Sequence, residues 1–219
     1  MSQTSRPTRL AAAQRREAIL DATLAILSEQ GYEGTSVRDI AAAVGVSVPV
    51  LYDHFPSKTA LQLALIEREG AALLSHARRQ GEAGSWAELV RSSIDAFFAF
   101  VEDRPHSWRL IFVEVPADPK LAAAQDQVLA DATRATTGMI AAIPAWELSR
   151  PIARELADSM LAEGVRSALT GLARWWWRHR DTPREDVVTI AYDLLYTGLD
   201  RLCQAPWPPS SSSPMGDDA

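Results

Sequence analysis

Reactive side chains are sparse in this 219-residue sequence, and their spacing argues against catalysis. The histidines are His54, His76, His106 and His179, and none stands at a metal-type interval from another or from the single cysteine, Cys203. No glycine-rich phosphate loop, Gly-x-Ser-x-Gly elbow or His-Glu-x-x-His pair occurs. The carboxylates fall mostly on polar faces of helical patterns, where solvated charge is the default. No metal or other cofactor is expected, and an enzyme is the weaker reading. Binding chemistry is better supported. Lys58 falls in the first turn of a helix that Ser57 caps, where free amides and a cation can jointly hold a phosphate. Just before it, Val48-Pro49-Val50 offers no side chain able to form a hydrogen bond, only apolar contact.

Those residues belong to or adjoin the stretch from Ser36 to Phe55, SVRDIAAAVGVSVPVLYDHF, whose spacing predicts two short helices around a tight turn. Val37, Ile40, Ala41 and Val44 recur at i, i+3, i+4 and i+7, placing one apolar stripe on one helix face. Ser36 is a suitable N-cap, and Asp39 sets a carboxylate by the free amides of the first turn. Gly45 follows the last periodic residue, as a glycine does where the chain turns left-handed to end a helix. Ser47 is expected to cap the second helix, with Pro49 in its first turn, where a missing N–H costs nothing. Val48, Leu51 and Phe55 then face inward. Pro49, Val50 and Asp53 face outward, with Tyr52 and His54 at the flanks. Two such helices joined by a glycine-containing turn form a helix-turn-helix.

Around this unit stand Ile19-Leu20-Asp21-Ala22 in a first helix and Gly31-Tyr32 closing it. Next come Thr35-Ser36-Val37, Ile40-Ala41, Gly45-Val46-Ser47, Leu51-Tyr52, His54-Phe55, Ser57-Lys58 and Leu61. In this order, from Arg16 to Leu65, they resemble the DNA-binding head of the tetracycline-repressor (TetR) family of bacterial transcription regulators. The resemblance covers roughly a quarter of the chain; the rest is similar to the family in length and helicity. It implies that Tyr52, His54 and Lys58 contact phosphates, that Arg38 contacts a base or a phosphate, and that Ser47 touches the DNA backbone as well as capping. Phosphate contacts set affinity and register, not sequence. The chain departs from the family at Val48-Pro49-Val50, where members often carry lysine, glycine and threonine. Val48, Pro49 and Val50 complete the expected DNA-binding set. Their natural major-groove target is the thymine methyl, so thymine-rich positions are expected opposite Pro49 and Val50, with Arg38 reading any guanine.

The charge balance is consistent with a DNA reader once its distribution is followed. The net charge is −6. Residues 1–60 carry six basic residues (Arg6, Arg9, Arg15, Arg16, Arg38, Lys58) and six acidic ones (Glu17, Asp21, Glu29, Glu33, Asp39, Asp53), so the whole excess of acid lies beyond them. DNA binding needs a local basic face rather than a basic protein, and an acidic body opposes non-specific sticking. At 47% hydrophobic residues the composition is that of an ordinary globular protein. No stretch approaches the ~20 apolar residues of a membrane span, and no signal peptide is expected. One cysteine suits a reducing compartment, so a cytoplasmic location is expected.

Along the chain, residues 1–13 read as a flexible basic arm whose Arg6 and Arg9 either lie in a minor groove or simply solubilise. A first helix is expected from about Gln14 to Gln30, with Gly31 stopping it, and the DNA-binding domain spans 14–60. Residues 61–203 form an all-α effector-binding and dimerisation bundle. Its helices are punctuated by the break from Gly81 to Ser85, by Pro105 and Pro116, by Asp118-Pro119, by Pro144, by Ser149-Arg150-Pro151 and by Thr182-Pro183. Residues 204–219 are rich in proline and serine and read as a disordered tail. Gly164, Ala168 and Gly171 share a helix face, and glycines inside a helix cost about 1 kcal/mol each unless something offsets them. A close helix–helix contact is expected there, across a dimer interface that also takes Trp175, Trp176, Leu195 and Leu199. In the run Trp175-Trp176-Trp177 the rings point in three directions, so at least one must be partly exposed in a monomer.

An all-α bundle with many aromatics can enclose an apolar cavity with a few polar groups. The expected lining is drawn from Trp86, Phe97, Phe98, Phe100, Trp108, Phe112, Met139, Trp146 and Met160, with His106, Arg109 and Glu114 as candidate polar groups. The function expected from the resemblance is that of a repressor: a homodimer on a pseudo-palindromic operator in double-stranded DNA, released by a small apolar effector. An activator or a ligand-independent regulator is the alternative within that class. An all-α carrier or enzyme with a vestigial DNA head is the alternative from another class.

Overall fold

The computed structural model describes residues 6–78, 85–143, 148 and 150–204. Among them the chain forms nine helices and no strand, the all-α architecture expected. They are α1 (Arg6–Gly34), α2 (Val37–Val44), α3 (Val48–His54), α4 (Lys58–Arg78), α5 (Trp86–Asp103), α6 (Pro105–Phe112), α7 (Pro119–Ala141), α8 (Arg154–Arg178) and α9 (Arg184–Gln204). Residues 205–219 and Trp146, for which a tail and a cavity wall were expected, lie outside the described residues.

The first helix differs most from expectation. It begins at Arg6, so residues 6–13 are helical rather than an irregular arm. Pro7 falls in its first turn, where proline is tolerated, and the alanine run that follows is the best of helix formers. Gly31 interrupts the helix, as expected: a kink there separates the long helix from a short helical turn. Its φ of 72° and ψ of 178° are glycine territory, and the helical stretch resumes beyond it to Gly34. The freed Gly31 carbonyl accepts from both the amide (3.2 Å) and the hydroxyl (2.7 Å) of Thr35.

The chain packs as two compact units, residues 1–79 with 99–131 and residues 80–98 with 132–219. The core beneath the first three helices continues into α4, α6 and α7. Ile19, Leu20 and Leu27 of α1, Ile40 of α2, and Leu51 and Phe55 in and after α3 share one core with Leu61, Leu65 and Ile66 of α4. Leu110 of α6 and Leu121 of α7 complete it. At Gly70, α4 comes so close to α7 that an added Cβ would lie 2.6 Å from a Val128 methyl. Gly164 and Gly171, where close contact was expected, have open space around them within the chain.

Within the first unit a fully buried carboxylate, Glu69, ties three helices. It accepts from Ser107 Oγ of α6 at 2.6 Å and from Arg68 Nε at 2.8 Å, with Arg104 at 3.6 Å. Arg68 in turn reaches Glu17 (3.0 Å) and Asp21 (2.8 Å) on α1. Burial works against the Arg68 cation, but Glu69 and the hydrogen bonds to all three carboxylates more than offset it, and its pKa rises above the ordinary guanidinium value. Gln125 of α7 satisfies the end of α6 by donating to the carbonyls of Leu110, Ile111 and Glu114.

In the second unit Arg154 plays a similar part. It pairs with buried Asp158 at 2.9 Å and donates to the carbonyls of Ile140 and Ile143 at the end of α7. Helix α8 accordingly starts at Arg154 rather than near Ser149.

Tyr32 is an alkaline liability. Its hydroxyl is buried without a hydrogen-bond partner, and burial, then the Glu114 charge, push its pKa well above that of a free phenol. A raised folded pKa means that stability is intact below the unfolded value of about 10 and is lost as pH climbs past it. Tyr32→Phe is expected to leave neutral-pH stability unchanged or up to about 1 kcal/mol better, and to make the alkaline limb shallower. Denaturant melts from pH 7 to about pH 11 check this.

Candidate nucleic-acid interface

The helix-turn-helix forms as its local signals require. Ser36 is the N-cap of α2, its hydroxyl accepting from the Arg38 amide at 3.2 Å, with Asp39 in the first turn. Ile40 and Ala41 are buried. Gly45 ends the helix in the left-handed region (φ 73°, ψ 31°), and its amide and that of Val46 close onto Ala42 and Ala41. A side chain at Gly45 would be strained whatever room it had.

Helix α3 is only seven residues long. Ser47 occupies its N-cap position with extended backbone, but the hydroxyl makes no capping bond, contrary to expectation. Pro49 accounts for part of this, since it removes one of the amides a cap would serve. Leu51 and Phe55 are buried, and Val46 and Val48 pack against the same core. The opposite face presents Pro49 and Asp53 to solvent together with Tyr52, whose side chain is 44% exposed. Val50 and His54 are half-buried at the flanks, so Val50 is less outward than expected. Arg38 is exposed on α2, and Lys58 is half-buried at the start of α4. There the Ser57 hydroxyl accepts from the Ala60 amide at 3.0 Å, leaving other first-turn amides to face outward.

The expected DNA-binding residues Arg38, Ser47, Val48, Pro49, Val50, Tyr52, His54 and Lys58 thus fall on α2, α3 and the start of α4, in one unit. Tyr52, His54 and Lys58 can each offer a donor to a phosphate, while Pro49 and Val50 offer only carbon. One residue with a part here carried no sequence signal. Arg16 of α1 donates to the His54 carbonyl at 3.2 Å and lies 4.2 Å from the Phe55 ring centroid.

The expected cavity residues are divided between the two units. Phe97, Phe98, Met139 and Met160 belong to one unit, and His106, Trp108, Arg109 and Phe112 to the other. Phe98, Trp108 and Phe112 are core side chains, His106 is exposed, and Arg109 is paired with Glu114 at 2.7 Å. Met160 is 59% exposed. Trp86 of α5, also among the expected cavity residues, has a buried indole N–H without an acceptor among the described residues. It packs against Ile140, Ile143 and Ala162 beside Leu161.

Of the expected interface residues, Trp176 is withdrawn from any partner. It is buried, edge-on to Phe98 at 5.8 Å, and donates to the Thr182 carbonyl. Trp175, by contrast, is 45% exposed and stacks on His179. Gly164 and Gly171 are exposed, Ala168 and Leu195 are half-buried, and the Leu199 side chain lies outside the description. Exposed beside them on α8 and α9 are Leu156, Met160, Ile190 and Leu194, an apolar surface that the sequence reading did not single out. Among the described residues no group of histidine, cysteine and acidic side chains could hold a metal, and no helix is long and apolar enough to cross a membrane.

Comparison with known proteins adds four findings. Residues 19–65 match the family described as bacterial regulatory proteins, tetR family. The transcriptional activator FasR of Mycolicibacterium smegmatis is 33% identical over 201 residues, covering 90% of this chain and 88% of FasR. The repressor KstR of Mycobacterium tuberculosis is 40% identical over 72 residues, 33% of each chain. In fold, the regulator FadR of Bacillus subtilis, solved in complex with stearoyl-CoA, aligns with a TM-score of 0.66 at 19% identity, over 84% of this chain and 98% of FadR.

Proposed function

Because the chain belongs to the tetR family of bacterial transcription regulators, we propose that it is a repressor that binds a pseudo-palindromic operator as a homodimer and lets go when a small apolar effector binds. The observation that carries operator binding is the outward face of α3, with Pro49, Tyr52 and Asp53 in solvent while Leu51 and Phe55 anchor it from behind. A two-fold protein reads a two-fold site, with half-sites about one helical turn apart (~34–36 Å). Repression needs only occupancy of promoter DNA, whereas activation needs a further surface for the transcription machinery. The second reading, an activator, is favoured by FasR, the relative matched over nearly its whole length.

The dimer would use α8 and α9. Leu156, Met160, Trp175, Ile190 and Leu194 supply exposed apolar contact, and Gly164, Gly171 and Gly198 leave room for another backbone. The effector would be an apolar molecule carrying a hydrogen-bond acceptor, because the orphan Trp86 N–H beside Ile140 and Ile143 asks for one. FadR, of the same fold, is known with stearoyl-CoA, so the fold is compatible with a long acyl chain. Such a ligand releases DNA only by binding the non-operator state more tightly. Catalysis has no part in this function.

A mobility-shift assay with the DNA flanking the gene tests the whole reading. Specific binding is expected, with an affinity falling steeply with salt, and Lys58→Ala is expected to weaken it and reduce the slope of log K against log salt by about one. Fatty acids and acyl-CoAs are then added to the bound complex. Release by one of them, lost in Trp86→Phe, is the expected result; no binding to any flanking DNA would refute operator recognition.

Selection of operators from random duplexes should return A·T pairs opposite Pro49 and Val50, and G·C pairs at every position under α3 would exclude the methyl-contact account.

For the dimer, Ile190→Asp with Leu194→Asp should halve the mass seen by light scattering and abolish operator binding while leaving helicity intact.

A further inference from the structure

Helix α3 is too short to hold itself. At seven residues it is well below the ~12–15 at which an isolated helix becomes even marginal. Its first turn lacks a side-chain cap and contains a proline. It packs on α2, and its inward anchors, Leu51 and Phe55, set which face is outward but leave its last carbonyls without a partner inside the helix. Something must hold its far end.

Arg16 is placed to do so. Its guanidinium donates to the carbonyl of His54, the last residue of α3, at 3.2 Å. The same cation sits 4.2 Å from the ring centroid of Phe55, the C-cap residue. A cation at a helix C-terminus meets the negative end of the dipole and a carbonyl with no partner inside the helix. The guanidinium does both jobs at once, its central carbon over the ring while one of its N–H groups donates to the carbonyl. The link joins α1 to the end of α3 across 38 residues of sequence, so it is a tertiary brace rather than a local cap. Tyr52 and His54, the side chains proposed to meet phosphates, are carried on the very turn that it grips.

We infer that Arg16 is a positioning residue for operator recognition: it holds the last turn of α3 in order without touching DNA itself. This rests on the operator-binding reading above. The competing role is a direct phosphate contact, which an exposed arginine beside the DNA face could also fill.

The test uses the full-length protein with Arg16→Ala and Arg16→Gln, the latter keeping a donor for the His54 carbonyl. Operator affinity is measured between about 50 and about 200 mM salt, alongside amide hydrogen exchange at residues 51–55 and a circular-dichroism melt. Arg16→Ala should weaken specific binding roughly tenfold, with an unchanged salt slope, and speed exchange at residues 51–55. Arg16→Gln should recover part of both. Wild-type affinity and exchange in Arg16→Ala would overturn the inference. So would a salt slope smaller by about one with unchanged exchange, which would make Arg16 a phosphate contact. Should the wild-type protein bind no operator, the exchange measurement still reports whether Arg16 braces α3, so the two failures are distinct.

Discussion

Burial of Leu51 and Phe55 is the condition on which the recognition surface depends. A seven-residue segment gains too few internal hydrogen bonds to offset the backbone entropy it loses. It becomes a helix because two large side chains, four apart, enter a core already built by α1, α2 and α4. That arrangement also decides which residues meet solvent. Once positions 51 and 55 point inward, helical geometry leaves 49, 52 and 53 no other direction. The outward face is therefore a consequence of the inward one, and a change that loosened the core would blur the surface before it unfolded the protein.

The core under α3 is extended by polar contacts that apolar packing could not replace in kind. A buried carboxylate such as Glu69 is costly to desolvate, and a well-packed apolar substitute would match it in stability. What the carboxylate adds is direction. Bonds at 2.6 and 2.8 Å to Ser107 and Arg68, continued by Arg68 to Glu17 and Asp21, hold α1, α4 and α6 in one register. Leucines in the same place would tolerate a slide of an ångström or so. The same logic recurs in the other unit, where Arg154 joins Asp158 to the last carbonyls of α7. Each unit thus has a charged clasp at a point where helices end or cross.

What could be read in the sequence was whatever local chemistry decides. Ser36, Gly45 and Pro49 each act within a turn of their own position, and α2 and α3 fall where those residues place them. The start of α1 was legible too, in Pro7 and the alanine run, but the arginines around them suggested a solvated arm. Tertiary facts left no such mark. The close approach at Gly70 depends on Val128 arriving from a distant helix, whereas Gly164 and Gly171, marked out by their spacing, face open space. Aromatics told least. Trp108, Phe98 and Trp176 fill the cores of their units, and nothing in residue type separates a ring that packs a core from one that lines a cavity. The role of Arg16 was invisible because it joins α1 to α3 through a carbonyl, and carbonyls are the same in every residue.

The open glycines of α8 and α9 nonetheless bear on assembly. A glycine in mid-helix costs about 1 kcal/mol relative to alanine, and in the isolated chain Gly164, Gly171 and Gly198 gain nothing in return, since no neighbour occupies the space a Cβ would take. On the same two helices Leu156, Met160, Ile190 and Leu194 are more than half exposed, with Trp175 nearly so. Scattered apolar side chains at a surface need no explanation, but a run of them interleaved with bare backbone does. Both features are unfavourable for a monomer, and one event removes both: the approach of another helix, which would cover the side chains and use the space the glycines leave. In the homodimer proposed above a second copy of the chain would supply that helix, because symmetry lets a single surface supply both halves of the contact.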